Sequence, residues 1–505
     1  MTSQTPARLP AHVAVFIIGA GFAGLGAAIK LAENGEQDFL CIDRGREVGG
    51  TWRDNTYPGA ACDVPSQLYS FSFALNPAWS RSFSPQPEIQ QYLRTVARDS
   101  GVLDRFRFGV NFESAAWDDE AARWRIETSA GPTTADLLVS AAGALSDPKM
   151  PAIEGIDGFG GQVFHSAQWN HDYDLTGKRV AVIGTGASSI QIVPEIADKA
   201  TRLDVYQRTA PWVLPRRDRA YRGWEKQLMR RVPFVQRAIR DLVYLAREAT
   251  VPMFISHPQL GNLARRGAMS NIHKGISDPE LRKRVTPHFS LGCKRVLISN
   301  DWYPALARDD VDLVTDPIVR VTERGIVTAD GTEREVDVLV VATGFLTTEL
   351  PIAGQIKGKT GQTLSDAWSE HGIQAYKGAT VAGFPNLFFL VGPNTGLGHS
   401  SMVYMIESQL AYLIDAHRTM RRYGLATVEP HAESQRDWNV DLQRRMKRTV
   451  WSRGGCQSWY LDAHGRNVTL WPRTTYKFRQ LTAKFDLAAY RSTAVQDVRA
   501  RETGA

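Results

Sequence analysis

The sequence predicts an α/β protein with two Rossmann-like units, the second of which carries a helical insertion. The first observation behind this prediction is a strand–glycine turn–helix pattern that occurs twice, at Val13 to Ala32 and at Arg179 to Ala197. The second is size, because 505 residues are too many for one hydrophobic core and fit two or three domains. The third is composition: 43% hydrophobic and 22% charged residues are typical of a water-soluble globular chain.

The first pattern begins with the apolar run Val13 to Ile18, which predicts a buried strand. A glycine-rich turn and an alanine-rich helix follow at once. Such a turn brings backbone N–H groups and a helix N-terminus up to a pyrophosphate, so it predicts a dinucleotide site. A second strand, Phe39 to Ile42, ends at Asp43, whose carboxylate can accept both ribose hydroxyls. The predicted binding residues of this unit are Gly19, Gly21, Gly24 and Asp43.

The second pattern has the same spacing but the opposite charge. Twenty-four positions separate Gly19 from Asp43, and the same number separates Gly184 from Arg208. An acid in this position suits the free ribose of FAD or NAD, whereas an arginine suits the 2′-phosphate of NADP. The residues predicted to hold NADP are Gly184, Gly186, Ser189, Arg208 and Thr209.

Two further runs, Asp136 to Gly143 and Asp337 to Gly344, each combine an acid, a buried strand and a turn of small residues. They predict the strands that close each unit. Between Pro215 and Phe289 the residues recur at helical spacing, so we predict a helical insertion whose aromatic and methionine side chains form core. The chain then returns to the first unit near Gly383.

Charge and cysteine content narrow the classes of partner. The net charge of +7 is dispersed, so nucleic-acid binding is not predicted. No apolar run reaches the roughly 18 residues of a spanning helix, so stable membrane insertion is not predicted either. The four cysteines form no CxxC pair, which argues against a disulfide scaffold, a metal site and a dithiol reductase. Together these features predict a cytoplasmic protein.

Several motifs resemble those of type I Baeyer–Villiger monooxygenases, class B flavoprotein monooxygenases. The segment from Phe159 to Trp169 resembles the family pattern FxGxxxHxxxW, with Asn170 where the family has Pro or Asp. Its matching residues are Phe159, Gly161, His165 and Trp169. A second family pattern runs from Gly49 to Asp63 and is complete. Matches also occur at Gly292 to Arg295, Gly392 to Met402 and Leu470 to Pro472, so the resemblance covers nearly the whole chain.

The resemblance implies two cofactors, FAD in the first unit and NADPH in the second, with O2 and a ketone as substrates. It implies that the ketone becomes an ester or lactone through a C4a-peroxyflavin, and it allows sulfoxidation as a second reaction. Arg295 and Asp63 are the implied catalytic residues, with Asp63 orienting the guanidinium beside the flavin. Lys294 is implied as a further contact to NADPH. The other implied cofactor contacts are Gly50, Thr51, Trp52, Asp63, Asn394 and Trp471.

The predicted domain order places the second nucleotide domain inside the first. Residues 1–150 form the first part of the FAD domain and residues 379–505 its second part. Residues 151–214 and 291–378 form the NADP domain, interrupted by the helical insertion at 215–290.

Three alternatives stay open at this point. A flavin monooxygenase that oxidises nitrogen or sulfur would not need the pairing of Asp63 with Arg295. A reductase would consume NADPH without oxygenating a substrate, and an FAD-binding sensor would hold NADPH without oxidising it. The sequence leaves the ketone, the regioselectivity and enantioselectivity, and the oligomeric state open.

Overall fold

The computed structural model describes residues 8–462 and 464–503. Their core is formed by one mixed sheet and one parallel sheet with helices packed on them, so the predicted α/β fold class is confirmed. None of the described helices is both long and apolar enough to cross a membrane.

The strands, in chain order, are β1 (His12–Ile18), β2 (Phe39–Asp43), β3 (Phe106–Phe108), β4 (Phe112–Asp118), β5 (Arg123–Thr128), β6 (Thr133–Ser140), β7 (Gln162–His165), β8 (Arg179–Ile183), β9 (Arg202–Tyr206), β10 (Val213–Leu214), β11 (Leu297–Ile298), β12 (Val311–Val314), β13 (Ile318–Val321), β14 (Gly325–Thr328), β15 (Glu333–Glu335), β16 (Val338–Val341), β17 (Ile356–Lys357), β18 (Leu387–Phe389), β19 (Leu425–Pro430) and β20 (Tyr490–Ala494). The α-helices are α1 (Phe22–Glu33), α2 (Thr51–Asp54), α3 (Gln86–Asp99), α4 (Ser189–Ile196), α5 (Gly223–Arg231), α6 (Pro233–Glu248), α7 (Val251–Ile255), α8 (Gly261–Gly275), α9 (Pro279–Val285), α10 (Trp302–Leu306), α11 (Pro351–Gln355), α12 (Leu364–His371), α13 (Met402–Tyr423), α14 (Ala432–Met446), α15 (Val450–Arg453), α16 (Thr475–Thr482) and α17 (Val495–Thr503).

The first sheet has the order β17-β4-β5-β6-β1-β2-β3, with β18 also paired to β6. Its central strands are parallel, and Ile18 lies opposite both Ile42 and Ser140. Most residues of β1 and all of β2 are buried, as expected for parallel strands covered on both faces. Because β1 and β2 end at the same edge, Gly19 and Asp43 lie together there.

The second sheet has the order β12-β9-β8-β16-β7 and is parallel throughout. Ile183 of β8 lies opposite Tyr206 of β9, so the glycine turn after β8 and Arg208 after β9 meet at one edge. The edge strand β7 carries the middle of the FxGxxxHxxxW segment and ends at His165.

Helices α5 to α9 occupy residues 223–285, where the helical insertion is predicted. The prediction that its aromatic and methionine residues form core is only half right. Met229 and Phe254 are buried, but Trp224 is 62% exposed and Phe234 is 75% exposed. Helical spacing places a residue on a face of its helix, but only the neighbouring elements decide whether that face is covered.

The chain returns to the first sheet earlier than the predicted position at residue 379. Ile356–Lys357 already pairs with β4 at the edge of that sheet. A two-residue strand has no periodicity of its own, so the sequence gives no signal for it. The other domain boundaries stay predictions.

Candidate active site

The turn after β1 depends on two glycines. Gly19 has φ +102°, a left-handed conformation that L side chains rarely adopt, and its N–H donates to Ile42 O at 2.8 Å. A Cβ on Gly24 would lie 1.7 Å from Gly19 O. Helix α1 therefore packs against the turn at a distance that only glycine permits, which directs its N-terminus at the edge of the sheet.

Asp43 is buried at this edge and bound on both carboxylate oxygens. Oδ2 accepts from Ala20 N at 2.7 Å, and Oδ1 accepts from Gly45 N and from Arg53 Nη1, each at 2.7 Å. These contacts fix the carboxylate beside the glycine turn. Arg53 was missed by the sequence interpretation, because its contact to Asp43 depends on how the loop before α2 folds back.

A cavity of about 410 Å³ extends from this edge toward Arg295. The predicted residues that line it are Gly19, Gly21, Asp43, Gly50, Thr51, Trp52 and Arg295. The lining also includes Arg44, Arg53 and Tyr69, which the sequence did not single out, and Thr395, Leu397 and Leu470 from two of the runs that carry the family resemblance. Tyr69 is fixed because its hydroxyl accepts from Trp52 Nε1 at 3.0 Å. The cavity thus joins the glycine turn and Asp43 to the guanidinium of Arg295.

Arg295 is held by Asp63 through three hydrogen bonds, which join two of its nitrogens to both carboxylate oxygens. Nε donates to Oδ2 at 2.9 Å, and Nη2 donates to Oδ1 and Oδ2 at 2.7 Å each. The negative charge of Asp63 raises the pKa of Arg295 above its already high ordinary value. Arg295 stays 36% exposed on the cavity side, so the fork fixes its direction and leaves part of the cation accessible.

Both partners are anchored by other contacts. The loop before Asp63 is tied to α4, because Tyr57 OH donates to Gln191 Oε1 at 3.0 Å and Gln191 Nε2 donates to Ala61 O at 3.0 Å. The segment before Arg295 is tied to a distant loop by a disulfide between Cys293 and Cys456.

This disulfide corrects the expectation drawn from cysteine spacing. The two cysteines are 163 positions apart, so no local sequence motif predicts the disulfide bond. Cys41 and Cys62 are free and buried. Among the described residues, no group of His, Cys, Asp and Glu could hold a metal ion.

At the second edge, Gly184 N donates to Tyr206 O at 3.1 Å, and Ile190 N donates to Gly186 O as α4 begins. Ser189 is fully buried, and its Oγ has no hydrogen-bond partner among the described residues. Thr209 O accepts from Thr185 Oγ1 at 3.2 Å, which joins the two sides of the edge.

Two cations meet at this edge. Burial, and then the nearby charge of Arg208, lower the pKa of Lys294. Within the described chain, neither Arg208 nor Lys294 has an ion-pair partner, so both charges remain available to an anion. The structure therefore brings together the two cations that the sequence assigned to NADPH.

Known nucleotide-dependent oxidoreductases resemble this chain in sequence. The family described as pyridine nucleotide-disulphide oxidoreductase matches residues 16–233. A Baeyer-Villiger monooxygenase from Streptomyces coelicolor is 52% identical over 480 residues, which cover 95% of this chain and 92% of that protein. The chain belongs to the Baeyer–Villiger monooxygenase family.

Solved structures of the family extend the comparison. OTEMO in complex with FAD and NADP superposes with a TM-score of 0.85 and 28% identity, covering 97% of this chain and 100% of that one. Cyclohexanone monooxygenase with bound epsilon-caprolactone gives a TM-score of 0.83 and 26% identity, covering 95% and 100%. The predicted enzyme class is thus confirmed, and the OTEMO complex confirms the predicted cofactor pair at the level of the family.

The Baeyer–Villiger segment FxGxxxHxxxW is built into the edge of the second sheet. A Cβ on Gly161 would lie 2.3 Å from Asp337 O and 2.6 Å from the Phe159 ring. His165 is buried, its Nδ1 accepts from Ala167 N at 3.1 Å, and burial lowers its pKa. The Trp169 ring packs edge-on against Phe164 at 5.0 Å. These contacts fit the organising role that we predict for the segment.

Asn394 and Trp471 do not line the cavity, although their neighbours do. Asn394 Nδ2 donates to Asn467 O at 2.9 Å and to Leu470 O at 3.1 Å, and Trp471 Nε1 donates to Thr474 O at 2.9 Å. Asn394 thus joins the loop after β18 to the loop before α16, and Trp471 does the same through its backbone N–H, which donates to Gly396 O at 2.9 Å. They position the cavity wall and do not form it.

Proposed function

We propose that this chain catalyses NADPH- and O2-dependent oxidation of a ketone to an ester or lactone. One atom of O2 enters the product and the other leaves as water, while NADPH is oxidised to NADP⁺. The observation that carries the proposal is the guanidinium of Arg295, held by Asp63 at one end of a cavity whose other end is the glycine turn and Asp43.

The residues of the cavity fit FAD. Gly19, Gly21 and Gly50 present backbone and no side chain to it, which leaves room for a pyrophosphate next to the N-terminus of α1. Asp43 stands where the ribose hydroxyls lie in a Rossmann-like unit. When bound, the flavin takes up the electrons of NADPH and activates O2.

The second edge fits NADPH. Arg208 and Lys294 offer two unpaired positive charges to a 2′-phosphate, and the buried Oγ of Ser189 lacks a partner that a ligand can supply. Lys294 and Arg295 are consecutive, so one segment of the chain supplies a positively charged side chain to each of the two cofactor sites. The disulfide at Cys293 holds that segment in place.

In this proposal Arg295 stabilises the negative charge that develops while oxygen is inserted beside the carbonyl. A fixed cation in a water-poor cavity does this at little reorganisation cost. Asp63 keeps the planar fork directed at the cavity and acts as a positioning residue. The predicted cytoplasmic location is kept as part of the proposal.

A ketone panel tests the proposal. The FAD-loaded protein is incubated with NADPH and linear, cyclic and aryl ketones, and both NADPH consumption and the mass of the product are followed. We expect a product heavier by one oxygen atom that carries label from ¹⁸O2. Oxidation of amines and sulfides with no ester from any ketone would favour the nitrogen- and sulfur-oxidising alternative. NADPH consumption that yields only reduced oxygen would favour a reductase.

A further inference from the structure

The outer side of the helical insertion is unusually apolar. Residues 223–275 are about a tenth of the chain, yet they contain eight of the sixteen large hydrophobic side chains that the described chain exposes. The outer face of α5 and α6, as we define it, consists of Trp224, Leu228, Val232, Phe234, Leu242 and Leu245. Large exposed apolar clusters of this kind mark interaction surfaces.

Helix α6 turns two of its polar side chains inward and leaves three large apolar side chains on the outside. Gln236 is 3% and Arg240 is 7% exposed, whereas Phe234, Leu242 and Leu245 are between 60% and 75% exposed. Positions 236 and 240 are four residues apart on one side of the helix, and positions 234, 242 and 245 lie on the other.

The two buried polar side chains of α6 are hydrogen-bonded to the first domain. Gln236 Nε2 donates to Gln67 Oε1 at 2.9 Å and to Asn76 O at 2.6 Å. Arg240 Nη1 donates to Gln67 O at 3.0 Å and to Leu68 O at 3.2 Å. The orientation of α6 is therefore fixed by hydrogen bonds, and its apolar side is held outward.

The net charge is not dispersed as expected from the sequence, because this segment carries most of it. Residues 223–275 contain nine Lys and Arg against three Asp and Glu, so they account for +6 of the chain's formal net charge of +7. Arg230, Arg231 and Arg237 are exposed and have no ion-pair partner within the described residues. Large apolar side chains flanked by unpaired arginines are typical of helices that lie in the interface of an anionic bilayer.

We propose that the outer face of α5 and α6 docks on the surface of an anionic phospholipid membrane. The apolar side chains enter the headgroup region, and Arg230, Arg231 and Arg237 contact the lipid phosphates. A second copy of the chain fits this face less well, because a symmetric contact would bring two strongly basic segments together. The proposal concerns peripheral docking, and it does not depend on the proposed reaction.

Helix α6 also reaches a loop of the active-site cavity. Helix α6 ends at Glu248, whose carboxylate accepts from Thr475 Oγ1 at 2.7 Å and lies 3.1 Å from His399 Nε2. His399 follows Leu397 in the loop that lines the cavity. One rigid helix thus connects the proposed docking face to the wall of the cavity.

Vesicle flotation with the FAD-loaded protein tests the proposal. Vesicles of phosphatidylcholine alone are compared with vesicles that also contain phosphatidylglycerol. We expect binding only to the anionic vesicles. For the variant Phe234→Ser/Leu242→Ser/Leu245→Ser, the partition coefficient into anionic vesicles should fall at least about ten-fold. For Arg230→Glu/Arg231→Glu it should fall at least roughly 30-fold. Added salt should weaken binding.

Matched controls change equal numbers of residues elsewhere. Val319→Ser/Val440→Ser/Tyr476→Ser removes exposed apolar side chains, and Lys447→Glu/Arg448→Glu reverses two exposed charges outside the insertion. Both controls should bind like the parent protein, and retention of FAD shows that each variant is folded. Absence of binding to anionic vesicles, or equal losses in controls and face variants, overturns the proposal. A concentration-dependent dimer that the Phe234 variant abolishes would instead assign the face to a second copy.

Discussion

Arg295 and Asp63 are 232 positions apart in the chain, yet all of the hydrogen bonds between them measure between 2.7 and 2.9 Å. Asp63 lies in the loop between α2 and α3, and Arg295 lies just before β11 in the second domain. Their ion pair therefore links the two nucleotide domains, and it also lies at the centre of the proposed active site.

Replacing Arg295 tests its proposed role directly. Arg295→Ala should fold and bind both FAD and NADPH, but its ester formation should fall by at least about 10²-fold, because the cation that stabilises the developing negative charge is gone. Reduction of the flavin by NADPH should also slow, since a positive charge favours the reduced form. Stopped-flow flavin absorbance and product mass measure the two effects.

Two companion variants separate charge from geometry. Arg295→Lys should rescue only part of the activity, because a flexible ammonium cannot reproduce a planar fork. Asp63→Ala should be milder than Arg295→Ala, since the cation remains but loses its orienting partner. Ester formation by Arg295→Ala at nearly the parental rate would show that the catalytic charge is on another residue.

Arg208 should decide between NADPH and NADH. Arg208→Ala removes a charge-assisted contact to the 2′-phosphate worth about 1.5–3 kcal/mol, so the KM for NADPH should rise roughly 10- to 150-fold. The KM for NADH should change little. Arg202→Ala, an exposed arginine of β9 that pairs with Asp204, is the matched control. Equal losses with both nucleotides would assign Arg208 a structural role.

Lys294 should make NADPH binding sensitive to alkaline pH. An ammonium group carries its charge below its pKa, and burial together with Arg208 lowers the pKa of Lys294. The charge is therefore lost at a lower pH than in an ordinary lysine, and the KM for NADPH should rise as the pH increases through that range. Lys294→Arg should flatten the profile, because arginine stays protonated. An unchanged profile in this variant would refute the assignment.

The disulfide between Cys293 and Cys456 should be measurable by thiol counting. Denatured, unreduced protein should release two thiols, from Cys41 and Cys62, and four after reduction. Cys293→Ser/Cys456→Ser should lower the free energy of unfolding by about 2–4 kcal/mol, because a long loop is no longer closed. Chemical unfolding followed by tryptophan and flavin fluorescence measures the change. Reductant should destabilise the parent protein but not the double variant, and four thiols without reduction would contradict the bond.

Local sequence determined the parts of the molecule that rest on local backbone requirements. A strand, a glycine turn and a helix are encoded within about twenty residues, and the structure places β1, α1, β8 and α4 where those patterns predict them. The equal spacing of Asp43 and Arg208 after their first glycines follows from the same geometry, because consecutive parallel strands end at one edge of a sheet. The motifs that carry the family resemblance are also short and local, so the sequence alone identifies them.

Only the tertiary structure decided which distant residues meet and which surfaces remain uncovered. The bond between Cys293 and Cys456, the contact of Arg53 with Asp43 and the return of the chain at Ile356 all depend on how the two domains and their loops pack. The orientation of α6 has the same origin. Its sequence does not say which face is buried. The hydrogen bonds of the buried Gln236 and Arg240 to the first domain fix the helix so that Phe234, Leu242 and Leu245 are exposed. Helical periodicity defines the faces of a helix, and its tertiary partners determine which of them is covered.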